Sequence, residues 1–460
     1  MGTLTGLMSL AGSALIADQA ALTTTAENIS NQNTDGYSRR TVTFQEGVTV
    51  NVGGASIGSG VTASATVVRN RVLLRSVQQA TEASSASSTR LTALNNLQSL
   101  FTIGASGDDE SGIGSAISDF FSAASSLSAS PNDSTARQAM YGAAQTLASS
   151  LNRTAAQIAA QSSSLNQQVQ SGVESVNGLT AQVASLNQQI SQASAGDNVD
   201  TLLDQRDQLV TQISQLVDVS TVVGSNNTMN LTLANGTPLV TGSKAMALST
   251  ATISGVTRIY AASAAGGADV TGVIRGGGVG GALQVRDEDL PAVTSQLDNI
   301  AQAIASAVNT QNAAGVTSSG SPGGDIFSGV TAATLTVSAA DANAIAVSST
   351  SAGDGNNALA IANLQNAPLV GGETPSASFA NMLSGLGQTA SAASTANSAA
   401  SAVLTQNSTQ WDNVAGVSLD QEGANLTQYQ RSYQAAAKVL AIVNELMADA
   451  INLGEPTTVS

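Results

Sequence analysis

Between Leu419 and Met447 large residues recur every seventh position: Leu419, Leu426, Tyr433, Leu440 and Met447. A second series, Tyr429, Ala436, Val443 and Ala450, is offset by three, so the two fill the a and d positions of a helix that packs lengthwise on another. The N-terminus carries the matching period. Leu4, Met8, Ala11, Leu15, Leu22 and Ile29 follow four-three spacing, with Asp18 and Thr25 as polar interruptions. Both ends of the chain are therefore predicted as coiled-coil helices that pair. Isolated helices are marginal in water and draw their stability from a packed face, so the two ends are expected to order only on assembly.

In chain order, the Asn-rich run 28–33 should stop the first helix, because its side chains compete for backbone hydrogen bonds, and Asp35-Gly36 then turns the chain. Val42, Phe44, Val48, Val50 and Val52 alternate as an extended or hairpin segment, followed by a second extended piece at 61–68. Helix resumes towards Phe101. From 108 to 216 the pattern is helical, with Pro131 suited to a helix start and Leu147, Leu151, Ile158, Leu165, Val169, Val176, Leu179, Val183, Leu186 and Ile190 in near-heptad register. From Val219 the composition shifts to short Thr/Val/Gly/Asn runs around the turn dipeptide Asn235-Gly236, which reads as a β-rich insert. Helix returns near 282, with Leu290-Pro291 in its first turns. A Gly/Ser-rich portion and the Ala/Ser helix 376–410 then lead to Trp411.

The fold class expected is mainly α, elongated and multidomain. It has paired N- and C-terminal coiled-coil helices (1–40 with 412–460), a long helical rod domain (41–218 with 286–411) and a small β-rich inserted domain (219–285).

Composition narrows the chemistry. The 460 residues include no cysteine and no histidine, which removes disulfides, thiolate or imidazole metal sites and His-dependent catalysis. Aromatics are only 3%, so the chain packs thin helices rather than a thick core. A net charge of −16, with Lys244 and Lys438 the only lysines, argues against nucleic acid or an anionic membrane as partner. The first basic residue is Arg39 and the early apolar positions are periodic, which does not fit a secretory signal peptide.

Three candidate chemistries deserve weighing against plainer readings. Gly276, Gly278 and Gly281 satisfy G-x-G-x-x-G with Asp298 near the expected acidic spacing, yet no clear βαβ unit surrounds them, and a flexible loop leaving the insert is the better reading. The acidic groups Asp108-Asp109-Glu110 and Asp287-Glu288-Asp289 lack calcium-loop spacing and read as solvated charge at helix ends. Paired carboxylates for glycoside hydrolysis want aromatic platforms that this composition scarcely supplies. No catalytic, cofactor or metal residue is expected.

The N-terminal ALTTTAENISNQNTDGYSRR and the C-terminal GVSLDQEGANLTQYQRSYQAAAKVLAIVNELMADAINL resemble the terminal signatures of bacterial flagellar axial proteins. DFFSAASSLSASPNDSTARQAM, the Leu-Leu-Asp-Gln-Arg-Asp motif at 202–207 and ALQVRDEDLPAVTSQLDNIAQAIASAVN are similar to the hook-associated proteins of that group. The resemblance implies a structural subunit of the hook-filament junction that assembles into a ring, with the hook protein below and a second hook-associated junction protein above. It also implies an export chaperone on the C-terminal helix, and an extracellular place in the flagellum reached through the flagellar type III apparatus without a cleaved signal peptide. The ladders then mark the expected polymerisation interface: Leu4, Met8, Leu15, Leu22, Ile29, Leu419, Leu426, Tyr429, Tyr433, Leu440, Val443 and Met447. Another axial protein (a second junction protein, hook or flagellin-like) stays open as an alternative, and so does a surface-displayed helical adhesin.

Overall fold

In the computed structural model, residues 2–34, 36–47, 49–52, 55–58, 60–102, 112–193, 199–224, 227–261, 267–350 and 353–452 are described. Asp35, Val48 and the group Asp108-Asp109-Glu110 lie outside them, as do the side chains of Val50 and Val52.

The chain opens with helix α1 (Gly2–Ser30), which ends where the asparagines begin. Strand β1 (Arg40–Glu46) follows, then the small hairpin β2 (Thr49–Val52) and β3 (Ala55–Gly58), and β4 (Val61–Val67) returns antiparallel to β1. Four helices come next: α2 (Arg71–Thr102), α3 (Ile113–Ala129), α4 (Ser134–Gln192) and α5 (Val199–Leu216). The 59 residues of α4 make a rod roughly 90 Å long at about 1.5 Å per residue. Its start is set not by Pro131, which sits in the preceding turn, but by Asp133, whose side chain accepts from the Thr135 N–H at 2.7 Å.

Strands β5 (Ser220–Val223), β6 (Met229–Thr232), β7 (Pro238–Thr241) and β8 (Lys244–Ala245) form an antiparallel sheet in sequence order. The hairpin β9 (Leu248–Ile253) and β10 (Val256–Ala261) closes on Ser254 and Gly255, both at positive φ as a two-residue turn requires. Helix α6 (Gly277–Gln284) runs through a π turn at 285–289 into α7 (Leu290–Ala313). Pro291 can donate no hydrogen bond to the preceding turn, and the wider i→i−5 bond from Leu290 N to Val285 O marks where the helix adjusts. Short strands β11 (Phe327–Ser328) and β12 (Thr336–Val337), helix α8 (Asn356–Asn363), helix α9 (Pro375–Ala415) and helix α10 (Leu419–Asn452) complete the chain.

The core follows α4. Leu147, Leu151, Ile158, Leu165, Val169, Val176, Val183, Leu186 and Ile190 are all buried, as their near-heptad register requires. At one end Phe120, Phe121 and Phe327 pack edge to face, with ring centroids 5.2 and 5.6 Å apart. At the other, the inner faces of the β insert cover α4 through Met229, Leu231, Leu239 and Ile259.

Two expectations need correction. The glycines of the G-x-G-x-x-G run do not form a flexible loop: they open α6 and press it against α2 and α5. A Cβ on Gly281 would strike the backbone carbonyl of Ala86, and Gly277 sits at φ +67 against the end of α5. Tight packing, not flexibility, calls for glycine there. Nor do the terminal ladders need a second chain to find a partner helix. α1 and α10 already pack on each other within one chain, antiparallel, with the end of α1 beside the start of α10.

Gly281→Ala is expected to destabilise the rod by about 1–3 kcal/mol, because the obstructing atom is backbone rather than a mobile side chain. Urea unfolding of the two proteins measures it; equal midpoints would show that α6 has room to move.

The terminal helix pair and its anchor

The seam between α1 and α10 is the site that the ladders predicted. Leu4, Met8, Leu15, Leu22 and Ile29 are half-buried along it, as are Leu426, Tyr429, Leu440 and Met447, while Val443 is fully buried. Leu419 and Tyr433 lie apart from these and are exposed. Asp18 and Thr25, the polar interruptions, are among the most buried residues of α1. A second face of α1 is covered by the β1–β4 ribbon, where Ser13 Oγ accepts from the Val61 N–H at 3.3 Å. A third set stays bare: Leu7, Leu10 and Ile16 on α1, and Val439, Ile442, Leu446 and Ile451 on α10.

A polar node closes one end of the seam. Glu422, only 1% exposed, accepts from Arg39 Nε at 2.8 Å and from Asn28 Nδ2 at 3.2 Å. Asn28 also donates to Arg40 O at 2.8 Å, and its Oδ1 accepts from Tyr37 Oη at 2.9 Å and Arg40 N at 3.0 Å. Every donor and acceptor of that amide is thereby used. Burial pushes the Tyr37 phenol up, which keeps it a donor.

From this node the Leu-Leu-Asp-Gln-Arg-Asp motif, on the first turns of α5, carries the connection outward. Arg40 Nη2 donates to Thr201 Oγ1 at 2.8 Å, and Arg69 bridges Asp200 at 2.9 Å and Asp204 at 2.8 Å. Burial raises the Asp204 carboxyl despite Arg69 beside it. Arg206, 2% exposed, reaches Asn187 Oδ1 on α4 at 3.2 Å and the carbonyl of Asn227 at the edge of the β insert. Next to it, burial holds the Asp207 carboxyl up at about 6, against the opposing pull of Arg206 and Arg69. Glu82 on α2 accepts from Val219 N at 3.0 Å and Ser214 Oγ at 3.3 Å where the chain enters the insert, and burial raises it to about 7.

Pattern reading missed one set of residues altogether. Along α4, Asn152, Asn166, Asn177 and Asn187 each reach across to backbone groups of a neighbouring loop or strand. Asn177, for example, gives 2.8 Å to Leu248 O and takes 2.7 Å from Leu248 N, as a paired strand would. The available signal was asparagine in the interior of a long helix, where its propensity is poor and another reason for its presence is needed.

The remaining candidates resolve into structural contacts. Asp298 accepts from the Ala332 N–H at 2.7 Å rather than facing a cofactor. Asp287 pairs with Arg286 at 2.8 Å and Asp289 with Arg90 at 3.0 Å. Among the described residues no cluster of acids could hold a metal ion, and no helix is long and apolar enough to cross a membrane.

Comparison with known proteins agrees with this arrangement. The family model described as flagellar hook-associated protein FlgK helical domain matches residues 94–327. Two further models match the ends: flagellar basal body rod FlgEFG protein C-terminal over 412–453, and flagella basal body rod protein over 8–37. Flagellar hook-associated protein 1 of Salmonella typhimurium is 28% identical over 98% of this chain and all of its own. The protein of that name from Bacillus subtilis is 29% identical over 95% of this chain and 96% of its own. Among solved structures, the flagellar hook junction protein FlgK from Burkholderia pseudomallei superposes with a TM-score of 0.67 at 20% identity, covering 74% of this chain and all of that one.

The two carboxyls raised furthest, Asp207 and Glu82, set a pH dependence. A carboxyl whose pKa is higher folded than unfolded keeps its full contribution below the unfolded value and loses it as pH rises through the folded one. Asp207, near 6 when folded against an ordinary 3.8, and Glu82, near 7 against 4.5, should both cost stability by pH 8 that they do not cost at pH 4. Asp207→Asn is therefore expected to raise the melting temperature at pH 8, with the gain fading towards pH 4. A gain of equal size at both pH values would mean that the charge is not the cause.

Proposed function

Since the chain belongs to the flagellar hook-associated FlgK family, whose helical-domain model it matches over half its length, we propose that it assembles through its bare terminal flank into the junction ring between hook and filament. The protein is a structural component of the bacterial flagellum at the hook-filament junction, and the role needs no catalytic group, cofactor or metal.

The observation that carries the ring reading is the apolar surface left over once the seam has closed. Val439, Ile442 and Leu446 stand at i, i+3 and i+7 on α10, so they line one stripe; Ile442 is 57% exposed. On α1, Leu7 and Leu10 sit one turn apart and Ile16 is 71% exposed. A soluble monomer gains nothing from such stripes, whereas a neighbour of the same kind covers them at about 1.5–3 kcal/mol for each large side chain buried. The uncharged outer residues Asn425, Gln428, Gln430, Gln434 and Asn444 suit contact between identical subunits. In this reading the seam residues of the original ladders shape each subunit's helix pair, while Leu419 and Tyr433 join the bare flank as contacts between subunits.

The three divisions follow the same logic. Residues 1–40 with 412–460 polymerise, 41–218 with 286–411 form the surrounding rod, and 219–285 make the outward β insert. The hook protein lies below the ring and a second hook-associated junction protein above it. Before assembly the same apolar stripe on α10 is the surface an export chaperone would cover, and the chain leaves through the flagellar type III apparatus without a cleaved signal peptide.

Leu10→Asp with Ile16→Asp is the test, placed on the α1 part of the flank that the chaperone surface on α10 does not include, and made in a strain lacking the wild-type gene. Secretion of the variant with loss of junctions and filaments is the expected result. Normal filaments would remove the bare flank as the interface.

A further inference from the structure

We propose that the cleft between α2 and α5, at the root of the β insert, is a binding site for a compact oxyanion of the carboxylate or phosphate class. The cleft has a volume of about 140 Å³ and gathers Arg69, Arg71, Arg75 and Arg206 around Asp207. In a chain of net charge −16, four guanidinium groups around one small cavity run against the composition.

Four acids stand against these four arginines, yet two of the guanidinium forks carry no hydrogen bond among the described residues. Arg69 is neutralised by Asp200 and Asp204. Arg71 and Arg75, one helical turn apart at the mouth, make no ion pair or hydrogen bond among the described residues. Arg206 is 2% exposed and bonds through Nη1 to Asn187 Oδ1 and Asn227 O, and its Nε is closed off from solvent, so it lends the cleft charge rather than a free donor. Asp207 faces Arg206, Arg69 and Arg71, and Glu82 faces Arg75, without a hydrogen bond to Arg71 or Arg75, so the donors of those two arginines remain unused. The planar forks of Arg71 and Arg75 fit the paired oxygens of a carboxylate or phosphate, and the low dielectric of a half-enclosed cleft strengthens the contact. The cavity admits several water-sized groups, each needing about 10–15 Å³ of such volume, which suits a small anion and not a polymer.

Position gives the site a consequence. Thr221, Val223 and Met229 of the β insert form one wall, Arg71 and Arg75 of the rod another, so an anion held between them ties the insert to the rod. Two sources share this chemistry: free phosphate, and an Asp or Glu side chain from a neighbouring chain.

The experiment is thermal melting of the full chain in inorganic phosphate and, separately, in acetate, each against chloride at matched ionic strength and pH. A saturable rise in melting temperature is expected, and the double variant Arg71→Gln, Arg75→Gln should weaken the apparent affinity by at least roughly tenfold while melting as wild type does in chloride. A response to phosphate alone supports the free ion, and a response to acetate as well supports an acidic side chain. No rise beyond chloride with either anion, or the same rise in the variant, overturns the proposal. Should the variant fold poorly in chloride, the conservative Arg71→Lys, Arg75→Lys pair, which keeps the charge and loses the fork, is required to bind with intermediate affinity.

Discussion

Glu422 is a carboxylate removed from water at the first turn of α10, and the geometry of both chain ends hangs on how it is satisfied. The α1–α10 seam is long but shallow: most of its large side chains are half-buried, and on α10 only Val443 is buried among the apolar residues. A seam of that kind tolerates sliding by a heptad at modest cost. The Glu422 contacts to Arg39 and Asn28 do not, because removing one partner of a buried charge typically costs about 3–5 kcal/mol. The node therefore fixes register, and the ladders supply the surface along which register is expressed.

The same economy runs through the rest of the molecule. With few aromatics, the chain cannot hold its β insert and loops by bulky interdigitation. Side chains that bond to backbone do it instead: Asn166, Asn177 and Asn187 of α4 on the insert, Asn152 on the segment around Ala332 and Leu335, Asn309 and Asn312 of α7 on the segments around Phe327 and Ala346, and Arg286 on Thr257 O at 2.6 Å. Each such bond is worth only about 0.5–1.5 kcal/mol net, yet leaving its partner buried and unbonded costs more, so the set specifies position better than it adds stability. The Leu-Leu-Asp-Gln-Arg-Asp motif belongs to this pattern. Asp204 pairs with Arg69 on the link between β4 and α2, and Arg206 reaches the insert, two residues apart on one helix.

What the sequence revealed follows from which interactions leave a periodic trace. The ladders mark the faces along which α1 and α10 pack on each other within the chain, and the near-heptad register of α4 marks its buried residues, because burial against a lengthwise partner repeats every three or four positions. The ladder could not tell that Leu419 and Tyr433 would be left exposed, since period alone does not say which of its positions meets a side chain of the partner helix. Nor could it announce the bare stripe of Val439, Ile442 and Leu446, which reads as ordinary apolar content. Glycine at 276–281 was misread because local composition favours a loop, and tertiary packing overrode it. The asparagine and arginine clamps bond to backbone, whose position no residue type records.

Glu422 sets the pairing of two helices far apart in sequence, and native-state hydrogen exchange of the purified chain measures that pairing. Comparison of the wild type with Glu422→Ala should show protection falling together, and by similar factors, in residues 2–30 and 419–452, while 134–192 is unchanged. Loss of protection in α10 alone, or in neither helix, would contradict the claim that this carboxylate holds the two ends of the chain in register.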